Sequence, residues 1–360
     1  MHKIKAEYSL KSIKQYDEKV LNFISFLFKD ITKKQWEWEY LHSPNKSIVK
    51  VCVFDNTIIG HYALIMFPML LSGAVISGAK AEGSLVDINV IRRLQKSNRD
   101  VFGRLVESCL VEFSTFDRFA IFGFPNSKAL PSQLKHGYDH IKIKGYEKIY
   151  VRNPLYLAKN IHVLIKPFFI ILSALYKKIV DFIVFYFFNR TGKISKMKKQ
   201  DEDDLNTFSF KLSAKYHNVL MIHRTYQYYE WRIIDNPYVT GDVLLSRGVD
   251  GEIDALIAYS IENNMHSKYM KIQDIAILDY KAGSLLFNKI LHIMIDYDID
   301  ALALWELENN SIAEMKFHKF IPFFSRKNIL NKSMIFYSNL FKSLSLSQDN
   351  IDISLIYKRF

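Results

Sequence analysis

Residues 78–112 read GAKAEGSLVDINVIRRLQKSNRDVFGRLVESCLVE, and the spacing of their apolar residues changes along the way. From Ala81 to Val90, small or apolar residues alternate with Glu82, Ser84, Asp87 and Asn89, the period-two pattern of a strand. A polar run from Arg92 to Asp100 interrupts it. Val101, Leu105, Val106, Cys109 and Leu110 then recur at helical intervals, so the polar run delivers its backbone amides to the open end of a helix. Four unpaired N–H groups and the positive pole of the dipole favour a phosphate or diphosphate there, and Arg92, Arg93, Lys96 and Arg99 add positive charge. The same residues also suit an ordinary helix start, with Asp100 as its acidic first-turn residue.

On the N-terminal side, Val20, Leu21, Ile24, Leu27 and Phe28 form a helical stripe within 16–29, and residues 36–41 continue as a second short helix that ends at the Ser43-Pro44-Asn45 turn. Ile48–Phe54 and Ile58–Met66 are two strands across an Asp55-Asn56-Thr57 turn, a hairpin signal. After the helix from Val101 to Phe113, residues 118–124 form a strand, Pro125-Asn126-Ser127 opens a helix to Lys135, and Gly137-Tyr138 closes it.

The order helix, helix, three strands, loop and helix, strand, helix, strand resembles the GNAT acyltransferase superfamily. Trp38-Glu39-Tyr40 with Ser43-Pro44, Ile59-Gly60-His61-Tyr62-Ala63, Val86-Asp87, the 101–105 helix start and Gly123-Phe124-Pro125-Asn126 look like a bacterial GNAT subgroup associated with surface polysaccharide. That resemblance implies an α/β fold with a mixed sheet and acetyl-CoA, or another acyl-CoA, as cofactor. The superfamily's cofactor loop follows Gln/Arg-x-x-Gly-x-Gly/Ala, which falls on Gln95 to Asp100. The implied cofactor residues are Val86, Ile88, Gln95, Asn98, Arg99, Asp100, Val101, Phe102 and Asn126. Asn98 replaces the first glycine and can take up left-handed backbone. Asp100 replaces the last small residue, and its carboxylate would compete with a diphosphate for the same amides. The resemblance points to Glu82 as the catalytic base, with Asp87 as the alternative, and to Tyr138 as the acid that protonates the departing thiolate. His61 or Tyr62 either faces the acceptor or belongs to the core.

A second copy follows at an offset of about 190 residues. The run from Tyr228 to Pro237 echoes Trp36 to Pro44. A hairpin around Val249-Asp250-Gly251 (242–246 and 255–261), a strand over 270–277, a helix over 284–295, a strand over 301–305 and a helix over 310–317 repeat the order of elements. Between Ile277 and Leu285 this copy has no arginine and one glycine, so it is degenerate at the anion loop. The expected organisation is therefore two tandem GNAT-like domains, 1–150 and 200–360, joined by a basic and apolar helical connector over 151–199.

Residues 161–188 are strongly apolar, but their longest charge-free run, 167–176, is too short to cross about 30 Å of hydrocarbon. On a helix, Lys166, Ser173, Lys177 and Asp181 fall in one narrow sector. From Lys142 to Gln200 there are 13 Lys or Arg against Glu147 and Asp181, a local excess of 11 within a total formal charge of +12. Two readings remain open: peripheral contact of 161–199 with an anionic inner membrane, or a helix clamped between the domains. Charge concentrated beside one apolar segment argues against nucleic acid as partner. The aromatic content, 14%, supports two cores, and Cys52 and Cys109 lie in apolar segments, as buried thiols of a reducing compartment do. The N-terminal residues lack the apolar stretch of a signal peptide, so the expected location is cytoplasmic.

His and Cys spacings suggest no metal site, and neither a nucleophile elbow nor a Walker loop is present. The reading is an acyl-CoA-dependent N-acyltransferase acting on an amino group of a sugar or sugar-linked precursor. The alternatives are Fem-type aminoacyl transfer to a lipid-linked precursor and a non-catalytic scaffold at the membrane.

Overall fold

The computed structural model describes residues 8–27, 31–94, 100–157, 166–188, 193–264, 267–307, 324–340 and 351–352. The chain divides into two compact units. Unit one comprises 1–143, 218–223 and 332–351, and unit two comprises 144–217, 224–331 and 352–360.

Unit one starts with β1 (Ser9–Ser12), α1 (Glu18–Leu27) and α2 (Lys33–Tyr40). Thr32 and Gln35 close a reciprocal capping box at the start of α2, which satisfies two amides that helix formation leaves open. The hairpin β2 (Ile48–Phe54) and β3 (Thr57–Leu71) turns through left-handed Asp55 and Asn56. β4 (Ala74–Val86), α3 (Ile88–Arg93), α4 (Val101–Phe113), β5 (Phe119–Gly123), α5 (Leu130–Lys135) and β6 (Asp139–Val151) follow. β1 to β5 lie side by side in chain order, antiparallel except for the parallel pair β4 and β5. α4 buries Val101, Leu105, Val106, Cys109 and Phe113 against Ile59, Leu64, Ala79 and Ala81, because its apolar residues recur every three or four positions.

The expected long strand stops earlier than its alternation suggests. Asp87 accepts hydrogen bonds from the amides of Asn89 (2.9 Å) and Val90 (3.2 Å) and caps α3, so the first part of the polar run is helical. The rest of that run, 95–99, lies outside the described residues.

Unit two holds α6 (Lys166–Phe187), β7 (Ile194–Lys196) and α7 (Glu202–Lys215). Next, β8 (Leu220–Ile222) joins unit one at the end of β3. α8 (Tyr226–Tyr229) runs into a π turn over Glu230–Ile234, and β9 (Thr240–Arg247), β10 (Ile253–Asn264), β11 (Ser267–Ile277), α9 (Tyr280–Asp296), β12 (Ala301–Leu307) and β13 (Phe324–Ser338) follow. The π turn takes up the one extra residue that separates the Tyr228–Pro237 run from Trp36–Pro44. The order β7, β9, β10, β11, β12 reproduces that of unit one, again with a single parallel pair, β11 with β12.

Each sheet has a sixth strand taken from the opposite end of the chain. In unit one, residues 335–338 of β13 pair with β5; in unit two, residues 145–151 of β6 pair with β12. The units are therefore not the contiguous blocks 1–150 and 200–360. Nor is the connector separate, since α6 packs Val180 and Val184 against Leu286, Ile290 and Met294 in the core of unit two. The helix expected over 310–317 lies outside the described residues.

A glycine sets the shape of the β3–β4 pair. The pairing slips between His61 and Ala63, and Gly83 sits in the bulge at φ +60° with its carbonyl 2.8 Å from His61 Nδ1. A Cβ there would fall 2.7 Å from the His61 ring and 2.8 Å from the Tyr40 hydroxyl. Gly83→Ala should therefore lower stability by about 1–3 kcal/mol, measured by chemical denaturation. An unchanged midpoint would mean that the bulge relaxes freely.

Candidate functional site

β4 and β5 pair from Ser77 and Phe119 to Ala81 and Gly123 and no further, while β4 runs on through Glu82 to Val86. The sheet of unit one thus opens beside those five residues, leaving one side of β4 without a β5 partner. Of the side chains expected to act, Glu82 lies on this unpaired part of β4. Tyr138, just before β6, is buried with its hydroxyl 2.8 Å from that of Tyr62 on β3. Burial raises both phenols above their ordinary value, and the negative charge of Glu82 adds to the rise at Tyr62. Phe102 on α4 meets the Tyr62 ring edge-on at 5.8 Å, and Tyr337 lies 5.6 Å from the Tyr138 ring.

Glu82 lies opposite Ala63 and forms an ion pair of 2.5 Å with Lys80, two residues earlier on the same face of β4. Both side chains are half-buried, so this carboxylate is partly withdrawn from water and has a cation beside it. Asp87 is different: its carboxylate accepts from the Asn89 and Val90 amides and caps α3. Gln133 on α5 is buried with its amide nitrogen 3.5 Å from the Ser84 hydroxyl, and among the described residues its Oε1 has no hydrogen-bond partner.

The α4 end of the site is occupied by its own side chain. Asp100 Oδ1 accepts from the Gly103 amide at 3.2 Å, and Lys135 approaches the carboxylate at 3.4 Å. His136 lies 3.8 Å from it and 3.5 Å from Glu107. Gly103 is needed for this packing, because a Cβ would come within 2.3 Å of the His136 ring. Val101 is buried in the core, Val86 packs partly against that core and Ile88 is exposed on α3. The side-chain oxygen of Asn126 closes its own turn by accepting from the amides of Lys128 (3.0 Å) and Ala129 (2.9 Å). Gln95, Asn98 and Arg99 lie outside the described residues.

Unit two repeats the opening. β11 and β12 pair only from Tyr269 to Lys271, and β10 and β11 slip between Ala258 and Tyr259. Here the bulge is filled by an ion pair. Arg224 donates to the Asp274 carboxylate at 2.8 and 3.2 Å, Tyr229 donates to it at 2.7 Å, and all three are buried. Only Leu278 and Asp279 separate β11 from α9, and Asp279 caps the helix by accepting from the Ala282 amide.

Two features of unit one escaped the sequence reading. Tyr62 left open a choice between core and acceptor, although a hydroxyl in an otherwise apolar strand must find a partner, and that partner is Tyr138. Gln133 is the other: it is buried while Leu134 beside it is exposed. Among the described residues, no group of three or more His, Cys, Asp or Glu could hold a metal, and no helix is long and apolar enough to cross a membrane.

No protein-family model matches the sequence, and no curated protein matches it. Solved structures do. A GCN5-related N-acetyltransferase from Anabaena variabilis aligns over 91% of this chain and 72% of its own, with a TM-score of 0.58 at 11% identity. One from Kribbella flavida aligns over 93% and 72%, with 0.58 at 10% identity. The Saccharomyces cerevisiae N-myristoyltransferase with bound myristoyl-CoA aligns over 99% and 85%, with 0.54 at 11% identity. On these likenesses, the chain has the α/β fold of the GCN5-related N-acetyltransferases.

Proposed function

We propose that the protein is an acyl-CoA-dependent N-acyltransferase whose site lies in unit one. The parting of β4 and β5 carries this reading, because the backbone of 82–86 there is open on one side to a ligand bearing amide groups. Gln133 Oε1, a buried acceptor beside Ser84 that lacks a partner among the described residues, suits an amide N–H of such a ligand. The pantetheine end of acyl-CoA thus has a fitting lining. At the diphosphate end Asp100 stands in the way.

Acyl-CoA supplies the thioester; the acceptor nitrogen forms a bond to the acyl carbon and the carbon–sulfur bond breaks. Glu82 takes the proton that the amine gives up. Tyr138 donates its hydroxyl proton to the leaving sulfur, and Tyr62 holds that hydroxyl in place. Because burial keeps both phenols protonated, kcat should show no alkaline decline between about pH 8 and pH 9.5. A decline there that vanishes in Tyr138→Phe would mean that the phenol ionises, contrary to its role as acid.

The acceptor we infer is an amino sugar or a sugar-linked precursor of envelope polysaccharide, on the cytoplasmic side, with residues 161–199 in peripheral contact with the membrane. Calorimetry with millimolar acetyl-CoA tests the cofactor, and release of free CoA thiol with a panel of nucleotide-linked amino sugars tests the reaction. No heat of binding would overturn the proposal.

Asp100 supports a second reading, aminoacyl transfer to a lipid-linked precursor without CoA. Asp100→Gly separates the two. It removes a like charge, and acetyl-CoA should then bind about fivefold tighter, equivalent to about 1 kcal/mol. Arg99→Glu should weaken binding by a similar factor. If neither alters the titration, the amides at the start of α4 do not hold the cofactor.

A further inference from the structure

α6 is amphipathic in the reverse of the usual sense. Three of its polar residues face the protein: Ser173 is buried, Lys177 pairs with Asp298, and Asp181 receives Arg152 Nε at 2.6 Å and Nη2 at 2.8 Å. Arg152 is itself buried and also donates to Asp298 (3.0 Å) and to the Ile299 carbonyl (2.9 Å). This network turns the helix so that Phe168, Ile171, Leu175, Ile179, Phe182 and Phe185, spaced three or four apart, point outward and are 54–64% exposed. The stripe runs most of the length of a 22-residue helix, about 33 Å. A soluble surface rarely leaves so long an apolar strip uncovered.

We propose that α6 is an in-plane membrane-binding helix, with this stripe entering the interfacial layer of an anionic leaflet. Charge identifies the occupant. The one acidic residue of the helix, Asp181, is turned inward and neutralised by Arg152, so the outward face carries no negative charge. Among its described side chains the only exposed charge is Lys178, and Lys193, Lys198 and Lys199 are exposed just beyond the helix. A second copy of the chain would bring together two segments that each carry a local excess of 11 positive charges, whereas anionic headgroups would neutralise them. The aromatic residues on the stripe suit the boundary between headgroups and acyl chains. No helix among the described residues can cross a bilayer, which leaves the in-plane orientation.

This surface extends the membrane contact placed on residues 161–199 and is independent of acyl-CoA binding, which acetyl-CoA calorimetry on the same preparations follows separately. The full chain should sediment with phosphatidylglycerol vesicles at low salt, bind them several-fold less at high salt and bind phosphatidylcholine vesicles weakly. L175E/F182E should lose about tenfold or more of the binding while melting as the parent does, since both residues are exposed. F182W should shift its emission to the blue on adding the same vesicles, against a background of buried Trp36, Trp38 and Trp231. Absence of sedimentation at low salt, or undiminished binding by L175E/F182E, would overturn the proposal. So would an unshifted F182W. A concentration-dependent dimer lost in L175E/F182E, without vesicle binding, would assign the face to a second copy.

Discussion

Glu82→Gln should lower kcat by about 10²–10⁴-fold while leaving the KM for acetyl-CoA within about twofold, the range expected when a general base is removed from a formed site. Glutamine keeps the shape of the side chain but cannot accept the amine proton. It also leaves Lys80 facing a neutral amide, so part of any change could come from the loss of the 2.5 Å ion pair. Lys80→Met separates these contributions. It removes the cation and keeps the carboxylate, so its kcat should remain within about tenfold of the parent. If Glu82→Gln and Lys80→Met lose activity equally, the pair positions the strand and Glu82 is not the base. If Glu82→Gln retains full kcat, the base lies elsewhere, and Asp87 is a poor substitute because its carboxylate already caps α3.

The second large effect is on stability and belongs to unit two. Asp274→Ala should destabilise it by about 3–5 kcal/mol, because buried Arg224 would lose both charge-assisted hydrogen bonds to the carboxylate. The double variant Arg224→Met/Asp274→Leu should recover most of that loss, since removing both charges also removes their desolvation cost. Tyr229→Phe, which takes away only the hydroxyl donor at 2.7 Å, should cost about 1 kcal/mol. Chemical denaturation followed by tryptophan fluorescence would measure all three. A single-variant loss below that of Tyr229→Phe would show that water reaches the Arg224 guanidinium.

The contrast between the two bulges explains why the chemistry is assigned to unit one. In each unit an aromatic residue from the α2 or α8 segment reaches the slipped register of the central hairpin. Tyr40 packs edge-on against His61 at 5.2 Å, whereas Tyr229 bonds to Asp274. In unit one the residues past the bulge, Glu82 and Ser84, remain half-buried along the opening; in unit two the corresponding ground is occupied by a closed ion pair. Arg224 comes from the short segment that follows β8, which no local pattern links to β11.

Periodicity was enough for several of the elements. The helical stripe of Val101 to Phe113, the hairpin turn at Asp55-Asn56 and the repeated order in the second half are local properties, set by which face each residue buries and by the backbone each turn demands. The resemblance then supplied the fold class and pointed to Glu82 as base and Tyr138 as acid. Asp100 was legible as an obstacle, because a carboxylate at a helix start binds the amides in front of it, as it does at Gly103. Other features depended on contacts between residues far apart in sequence. Nothing near Tyr138 announces Tyr62, 76 positions away, and nothing near β5 announces that β13 will pair with it. The direction in which α6 faces was also undetermined by its sequence. A helix with one polar sector can turn that sector to water or to a buried partner, and only Arg152, held by Asp298 and the Ile299 carbonyl, turns Asp181 inward and leaves the apolar face outside.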